Sequence, residues 1–373
     1  MKKLTALLLA GMLALTACSS KTPSQPLQLE NLSASAATAL ESAAAAEQSQ
    51  PEPDNSWQFD MPENHGMDPA VFEQLHTALA GSTVYAMVTA KDGVIIDEYY
   101  QEGYDENSVF PLHSCSKSFT SALVGIALEQ GYLSGVDAPL SDYLPQVLEL
   151  EDSAKQQITL RHLLTHTSGL EWYEWAGRSN WAEFRSAENW VDYILGRSLV
   201  SQPGTTFAYS TGGTHLLAAA LEAATGKKTL DYAQENLFAP LGMESVTWGT
   251  DPQGIADGGN GISMTLRDAA RFGQLYLQGG MWNGRQLVPA DWVADSTTVK
   301  NSGAGDGTGS YGYQWWIRSF AGYETFYAFG AHGQFILIVP ELNLVTAIAS
   351  NSLESSYIPR DYFIDYVLPA YVG

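Results

Sequence analysis

Strand-like segments lie near both ends of the body of this chain, and helical patterns fill the stretch between them. Near one end, residues 82–90 and 94–100 flank Lys91-Asp92-Gly93, a turn sequence suited to a tight hairpin. At the other end, residues 325–329, 333–339 and 343–350 read as strands, and Pro340-Glu341-Leu342-Asn343 links the last two. The spacing predicts helices over 115–131, 159–165, 187–196, 213–225, 229–238, 265–279 and 289–296, several stopped by glycines such as Gly131, Gly226 and Gly279. A last helix is expected over 360–371, its end distorted by Pro369. A sheet that draws on both ends must pair segments far apart in the chain. The expected class is therefore α+β: an antiparallel sheet flanked by helices, built from both chain ends, with an all-helical lobe inserted.

The chain begins with a segment outside this pattern. Lys2 and Lys3 precede an apolar run from Leu4 to Leu15, shorter than the roughly 20 residues a membrane span needs. This reads as a secretory signal over 1–17. Leu15-Thr16-Ala17-Cys18 is similar to a bacterial lipobox, which implies a lipid on Cys18. Residues 18–54 are rich in Ser, Ala, Gln and Pro and bury too little apolar surface to offset their ordering entropy. They are expected to form a tether to a body over 55–373. The expected location is the cell envelope, periplasm-facing or at the outer membrane if the host is diderm.

The net charge is −23 at pH 7, which argues against nucleic acid and against electrostatic binding to anionic lipid. The lipid would have to hold the protein at the membrane. Ten tryptophans, nineteen tyrosines and thirteen phenylalanines allow a large core and an aromatic cleft. Cys115 is the only cysteine besides Cys18, so acylation of Cys18 would leave no intrachain disulfide.

Ser114-Cys115-Ser116-Lys117 is the only Ser-x-x-Lys in the chain and opens the first helical segment. Residues three apart share a helix face, which puts Lys117 one turn from the Ser114 hydroxyl. A serine nucleophile needs a base that is neutral in the free enzyme. Burial and a place in the first helical turn both lower a lysine's pKa. Cys115 lacks a Cys-His signature, and Ser114 has the better-placed amine.

Two later stretches bear on the same chemistry. Tyr209 lies in Pro203-Gly204-Thr205-Thr206-Phe207-Ala208-Tyr209-Ser210-Thr211, and a buried tyrosine beside a lysine can relay a proton. Phe329-Gly330-Ala331-His332-Gly333-Gln334 opens a strand, where small residues allow close approach and backbone N–H groups can join that of Ser114 in an oxyanion hole. Read singly, Tyr209 is a packing residue and His332 a structural one. His162 and His166 have the i, i+4 spacing of a metal pair without the His-Glu-x-x-His context, so no metal is expected. Trp172, Tyr173, Glu174 and Trp175 are candidates to line a cleft.

Together with Thr159-Leu160-Arg161-His162-Leu163-Leu164-Thr165-His166-Thr167-Ser168-Gly169-Leu170, Leu237-Phe238-Ala239-Pro240-Leu241-Gly242-Met243, Gly261-Ile262-Ser263-Met264-Thr265-Leu266 and Tyr311-Gly312-Tyr313-Gln314-Trp315-Trp316, these stretches resemble the serine β-lactamase and penicillin-binding-protein superfamily. Within it they look most like the class C β-lactamase-related esterases and amidases, especially 6-aminohexanoate-dimer hydrolases. The resemblance covers about 60–350. It implies a β-lactamase/transpeptidase-like fold with the cleft between a sheet lobe and a helical lobe. It implies Ser114 as acylated nucleophile, Lys117 as base and Tyr209 as acid/base partner for the leaving group. His332, Gly333, Gln334 and Trp172 are expected at the cleft, with Gln334 as the second oxyanion donor. No cofactor is implied.

The chain departs from the family pattern twice. It reads Tyr209-Ser210-Thr211 where many relatives have Tyr-x-Asn, and it lacks a Lys-Thr-Gly third motif. Both departures weaken β-lactam and D-alanyl peptide chemistry. The expected activity is hydrolysis of a small ester or amide. The alternatives are a peptidoglycan- or β-lactam-processing enzyme (a D-alanyl carboxypeptidase or β-lactamase) and, from another class, a non-catalytic cell-envelope binding module.

Overall fold

The computed structural model describes residues 54–174, 179–305 and 307–372. Cys18, the signal segment, the tether before Asp54 and Trp175 lie outside the described residues.

Seven strands form one antiparallel sheet: β1 (Val84–Lys91), β2 (Val94–Tyr100), β3 (Ser310–Tyr311), β4 (Trp316–Phe320), β5 (Tyr323–Gly330), β6 (Gln334–Val339) and β7 (Leu344–Ser350). Their order is β2-β1-β7-β6-β5-β4-β3, so the sheet does draw on both chain ends. Hairpins make every contact except one. The β1–β7 pairing, with Val88 opposite Ala347 and Thr89 opposite Thr346, joins segments more than 250 residues apart. The β1–β2 turn carries Asp92 and Gly93 at φ +54° and +87°, the paired left-handed conformation that the twist of a two-residue hairpin requires.

Alternate residues of the central strands feed two cores. Ala86, Val88, Ile336, Ile338, Val345 and Ala347 face the larger one, with the helices of the middle of the chain. Met87, Phe335, Leu337, Val339 and Ile348 face a second core closed by α1 (Pro69–Leu79) and the C-terminal helical turns. Burial on both faces explains why Gln334–Val339 reads as an unbroken run rather than an alternating one.

The first helix of the middle region, α2 (Ser116–Glu129), is buried all round from Ser116 to Ala127. Its hydroxyls have fixed partners: Ser116 donates to His113 O (2.6 Å), Ser118 to Gln314 O (2.7 Å) and Thr120 to Gly258 O (2.7 Å). Two further long helices are α3 (Thr211–Thr225), N-capped by Ser210, and α4 (Leu266–Leu277), which lies on the sheet against β7. Gln314, held at φ +65°, ties the layers together. Its amide donates to Leu163 O and Leu164 O and accepts from Thr214.

The expected helix over 360–371 is instead a short helix, Ile358–Tyr362, followed by a wide turn over Phe363–Val367. Several elements have no counterpart among the expected ones. They include α1, the strands β3 and β4, a short helix over Trp181–Ser186, a two-stranded sheet of Met281–Trp282 and Arg285–Gln286, and a small sheet of Val109–Pro111, Ile262–Thr265 and Thr247–Trp248.

Gly273 of α4 marks a close helix–sheet approach: a Cβ there would lie 2.6 Å from Val345 Cγ1 and 2.9 Å from Ile336 Cγ2. In an open helix, Gly→Ala gains about 1 kcal/mol. Overpacking against two β-branched side chains costs about 1–3 kcal/mol, so the loss dominates. Gly273→Ala is expected to lower the thermal midpoint by a few degrees in calorimetry, and a raised midpoint would show that the sheet yields.

Candidate active site

The segment before Ser114 is clamped from two sides. Phe110 pairs with Met264 in the small sheet, Leu112 N–H donates to Ile262 O (3.0 Å), and Ile262 N–H donates to Ser116 Oγ (3.0 Å). His113 takes φ +48°, and a turn over His113–Cys115 leads into α2. Lys117 is the second residue of that helix, one turn from Ser114, with Nζ 3.0 Å from Ser114 Oγ.

The Lys117 side chain is 1% exposed. Its amine has two further neighbours, Thr211 Oγ1 at 2.9 Å and Gly259 O at 2.7 Å. Burial lowers its pKa from 10.5 to about 8, although the Glu174 and Asp257 carboxylates favour the ammonium. Gly259 has to be glycine for this approach, since a Cβ would sit 2.8 Å from Thr211 Cγ2 and 2.9 Å from Thr211 O. Asp257 shapes the same loop. Its carbonyl accepts from Trp248 Nε1, Asn260 N–H and Gly261 N–H, and its buried carboxylate pairs with Arg185 (2.8 Å). Burial raises the Asp257 pKa.

Tyr209 is nearly buried and lines the cleft together with Ser114. Lys117 Nζ lies 4.8 Å from the centre of its ring. Burial holds the phenol well above its usual pKa, so it keeps its proton. Trp316 stacks on the ring (5.6 Å, 19°), and His166 and Tyr311 pack around it. The His166 ring accepts from Ser210 N–H at Nδ1 (3.4 Å), which leaves Nε2 to donate to Tyr311 Oη (3.1 Å). Burial pushes His166 well below its usual pKa. His162 instead completes a capping box with Thr159 at the start of Leu160–Leu164. The two rings therefore do not converge as a metal pair.

A cleft of about 650 Å³ opens over Ser114. Its described lining includes Ser114, Tyr209, His332, His113, Glu174, Ala331, Asn260, Phe329, Trp181 and Tyr357. His332 reaches the cleft and packs edge-on to His113 (5.5 Å). Burial, with His332 second, lowers the His113 pKa.

Three expected cleft residues lie behind this wall. The Gln334 amide is buried against Ser350 O (2.6 Å) and Ala331 O (3.3 Å), because pairing with Gly330 turns it into the sheet. Gly333 packs under Pro359 and Ser350. Trp172 is buried beneath Glu174, to which its indole N–H donates. In the turn after β5, Ala331 lines the cleft beside His332. The N–H of His332 is taken by Ser356 Oγ (2.9 Å) and that of Gly333 by Gly330 O (3.2 Å). A Cβ on Gly330 would meet Leu112 O at 2.3 Å, which shows how closely this strand end abuts the serine loop. Cys115 points into the core, its thiol donating to Gln334 O (3.6 Å) and pushed far up in pKa by burial.

Sequence reasoning passed over Gly259, Asn260, Asp257 and His113. The run Asp257-Gly258-Gly259-Asn260-Gly261 carried the available signal, since glycines between structured segments mark close backbone approach.

The beta-lactamase family model matches residues 70–368. Among curated proteins, the chain is 26% identical over 283 residues to the 6-aminohexanoate-dimer hydrolase of Paenarthrobacter ureafaciens, covering 70% of each chain. It is 28% identical over 225 residues to the D-alanyl-D-alanine-carboxypeptidase/endopeptidase AmpH of Escherichia coli (strain K12), covering 53% of this chain and 58% of that one. The solved structure "Putative 6-aminohexanoate-dimer hydrolase from Bacillus anthracis" superposes with a TM-score of 0.69 at 27% identity, covering 79% of this chain and 80% of that one.

The shifted lysine can be checked without any substrate. NMR titration of protein labelled at lysine Nζ is expected to show one amine, absent in Lys117→Met, with a midpoint near pH 8. A midpoint at the ordinary lysine value would overturn the electrostatic account.

Proposed function

The chain belongs to the beta-lactamase family and is a serine hydrolase, and on that premise we propose that it cleaves a small ester or amide through an acyl-enzyme on Ser114. The observation that carries this reading is the 3.0 Å contact between the Ser114 hydroxyl and a buried amine with a lowered pKa. The neutral Lys117 amine takes the Ser114 proton as Oγ attacks the carbonyl carbon. The developing oxyanion is held by the N–H of Ser114 and that of Ala331, which lines the cleft. As the bond to the leaving group breaks, the protonated Tyr209 hydroxyl donates its proton there, and the Lys117 ammonium restores it. Water then attacks the acyl carbon, releases the acid and returns the proton to Ser114. No cofactor enters these steps.

Specificity follows from the cleft wall. Phe329, Tyr357 and Trp181 offer apolar contact to an acyl or leaving group. His332 stands in the turn where β-lactamases and transpeptidases carry a lysine, so no permanent cation awaits a substrate carboxylate there. This favours an uncharged ester or amide over a penicillin or a D-alanyl peptide. A binding module without catalysis would have no use for a desolvated lysine, whose burial is costly.

We also propose that the protein is a cell-envelope lipoprotein held through Cys18. The basic start, the short apolar run and the Leu-Thr-Ala-Cys order support this.

Wild-type protein is expected to label with a fluorophosphonate probe and to hydrolyse a short-chain chromogenic ester. Ser114→Ala should lose both, and Tyr209→Phe should lower turnover by about 10²–10⁴-fold. Labelling that survives Ser114→Ala refutes the assignment, and rapid acylation by a fluorescent penicillin would shift the substrate class. Cys18→Ala should move the protein from the membrane to the soluble fraction, and unchanged fractionation would count against the lipid anchor.

A further inference from the structure

Glu174 stands in the cleft wall, yet its carboxylate is turned toward protein groups. One oxygen accepts the Thr211 hydroxyl proton, and the other accepts Thr211 N–H (3.2 Å) and the Trp172 indole N–H. An ionised carboxylate only accepts hydrogen bonds. The single proton of Thr211 is therefore committed to Glu174, and the Thr211 oxygen presents a lone pair to Lys117 Nζ, 2.9 Å away.

This settles how a neutral Lys117 is oriented. A primary amine has two N–H groups and one lone pair. The Gly259 carbonyl accepts one N–H at 2.7 Å, and the Thr211 oxygen accepts the other. The third direction leads to Ser114 Oγ at 3.0 Å, so the lone pair faces the serine hydroxyl. With the Thr211 proton turned the other way, that proton would occupy the lone pair and Ser114 would face an N–H. A side-chain amide at position 211 would offer a fixed carbonyl acceptor, whereas a hydroxyl can point either way. Building on the Ser114–Lys117 reading above, we propose that Glu174 is a positioning residue that acts through Thr211 to aim the Lys117 lone pair at Ser114.

Glu174→Gln is a sharp probe of this arrangement. Its one amide oxygen is claimed by the two N–H donors of Thr211 and Trp172. Its NH₂ then donates to Thr211 Oγ1 and drives the hydroxyl proton toward Lys117. On the pH plateau, the rate of fluorophosphonate acylation should fall roughly tenfold or more. The acid limb should also move to lower pH. Of the groups around the amine, Glu174 and Asp257 favour the ammonium, while Cys115 and Tyr209 stay protonated and His166 neutral. A merely structural defect would lower the plateau without that displacement.

Glu174→Ala should also slow acylation. In the Thr211→Asn background the same change should cost less than about threefold, because the two residues are then uncoupled. A Glu174→Gln rate equal to wild type, or equal losses from Glu174→Ala in both backgrounds, would overturn the proposal. Retained labelling in Ser114→Ala overturns the nucleophile assignment instead, so the two failures are separable.

Discussion

An amine removed from water must find partners for its hydrogens, and around Lys117 those partners come from its own helical turn and from two distant segments. Gly259, Thr211 and Ser114 lie within 3.0 Å of its nitrogen. The same burial that penalises the charged form brings the amine's pKa down to about 8. Geometry and chemistry therefore share one cause. A lysine at this position facing solvent would keep both its charge and its freedom to rotate.

The surrounding fold supplies the rigidity that this arrangement needs. α2 is buried on all sides, so its first turn cannot shift without disturbing both the sheet and the helical layer. The small sheet and the Asp257–Gly261 loop press on it from one side, and the end of β5 at Gly330 presses on the serine loop from the other. Tyr209 is held by an aromatic cage whose members come from the His166 region, β3 and β4. A floor of packed side chains beneath a cleft of about 650 Å³ keeps reacting groups in place while the opening stays free for substrate.

Much of this was legible in the chain itself. Asp92-Gly93 announced the β1–β2 hairpin, and the position of Lys117 in the first turn of α2 follows from helical periodicity. The strand ranges near both ends, and most of the helices between them, lie within a few residues of the expected ones. Short elements were harder, because two- and three-residue strands such as Ser310–Tyr311 and Val109–Pro111 carry no periodicity. Gln334 misled for a related reason. A polar residue at a strand start reads as exposed, and only its pairing with Gly330 turns it inward to bond Ser350 O. Thr211 read as the loss of an amide, because its Glu174 partner lies nearly forty residues earlier in the chain.

Local pattern was enough to place Ser114 and Lys117 one helical turn apart and to decide the class of fold and the division into strand-forming ends and a helical middle. Those features depend on neighbours in the chain, and helix and strand periods are written in neighbours. Tertiary structure alone decided which backbone carbonyl receives the lysine, which turn residues line the cleft, how deeply the amine is buried and which carboxylate the Thr211 hydroxyl meets. Each of these depends on groups tens to hundreds of residues apart meeting within hydrogen-bonding distance, and no local pattern encodes such a meeting.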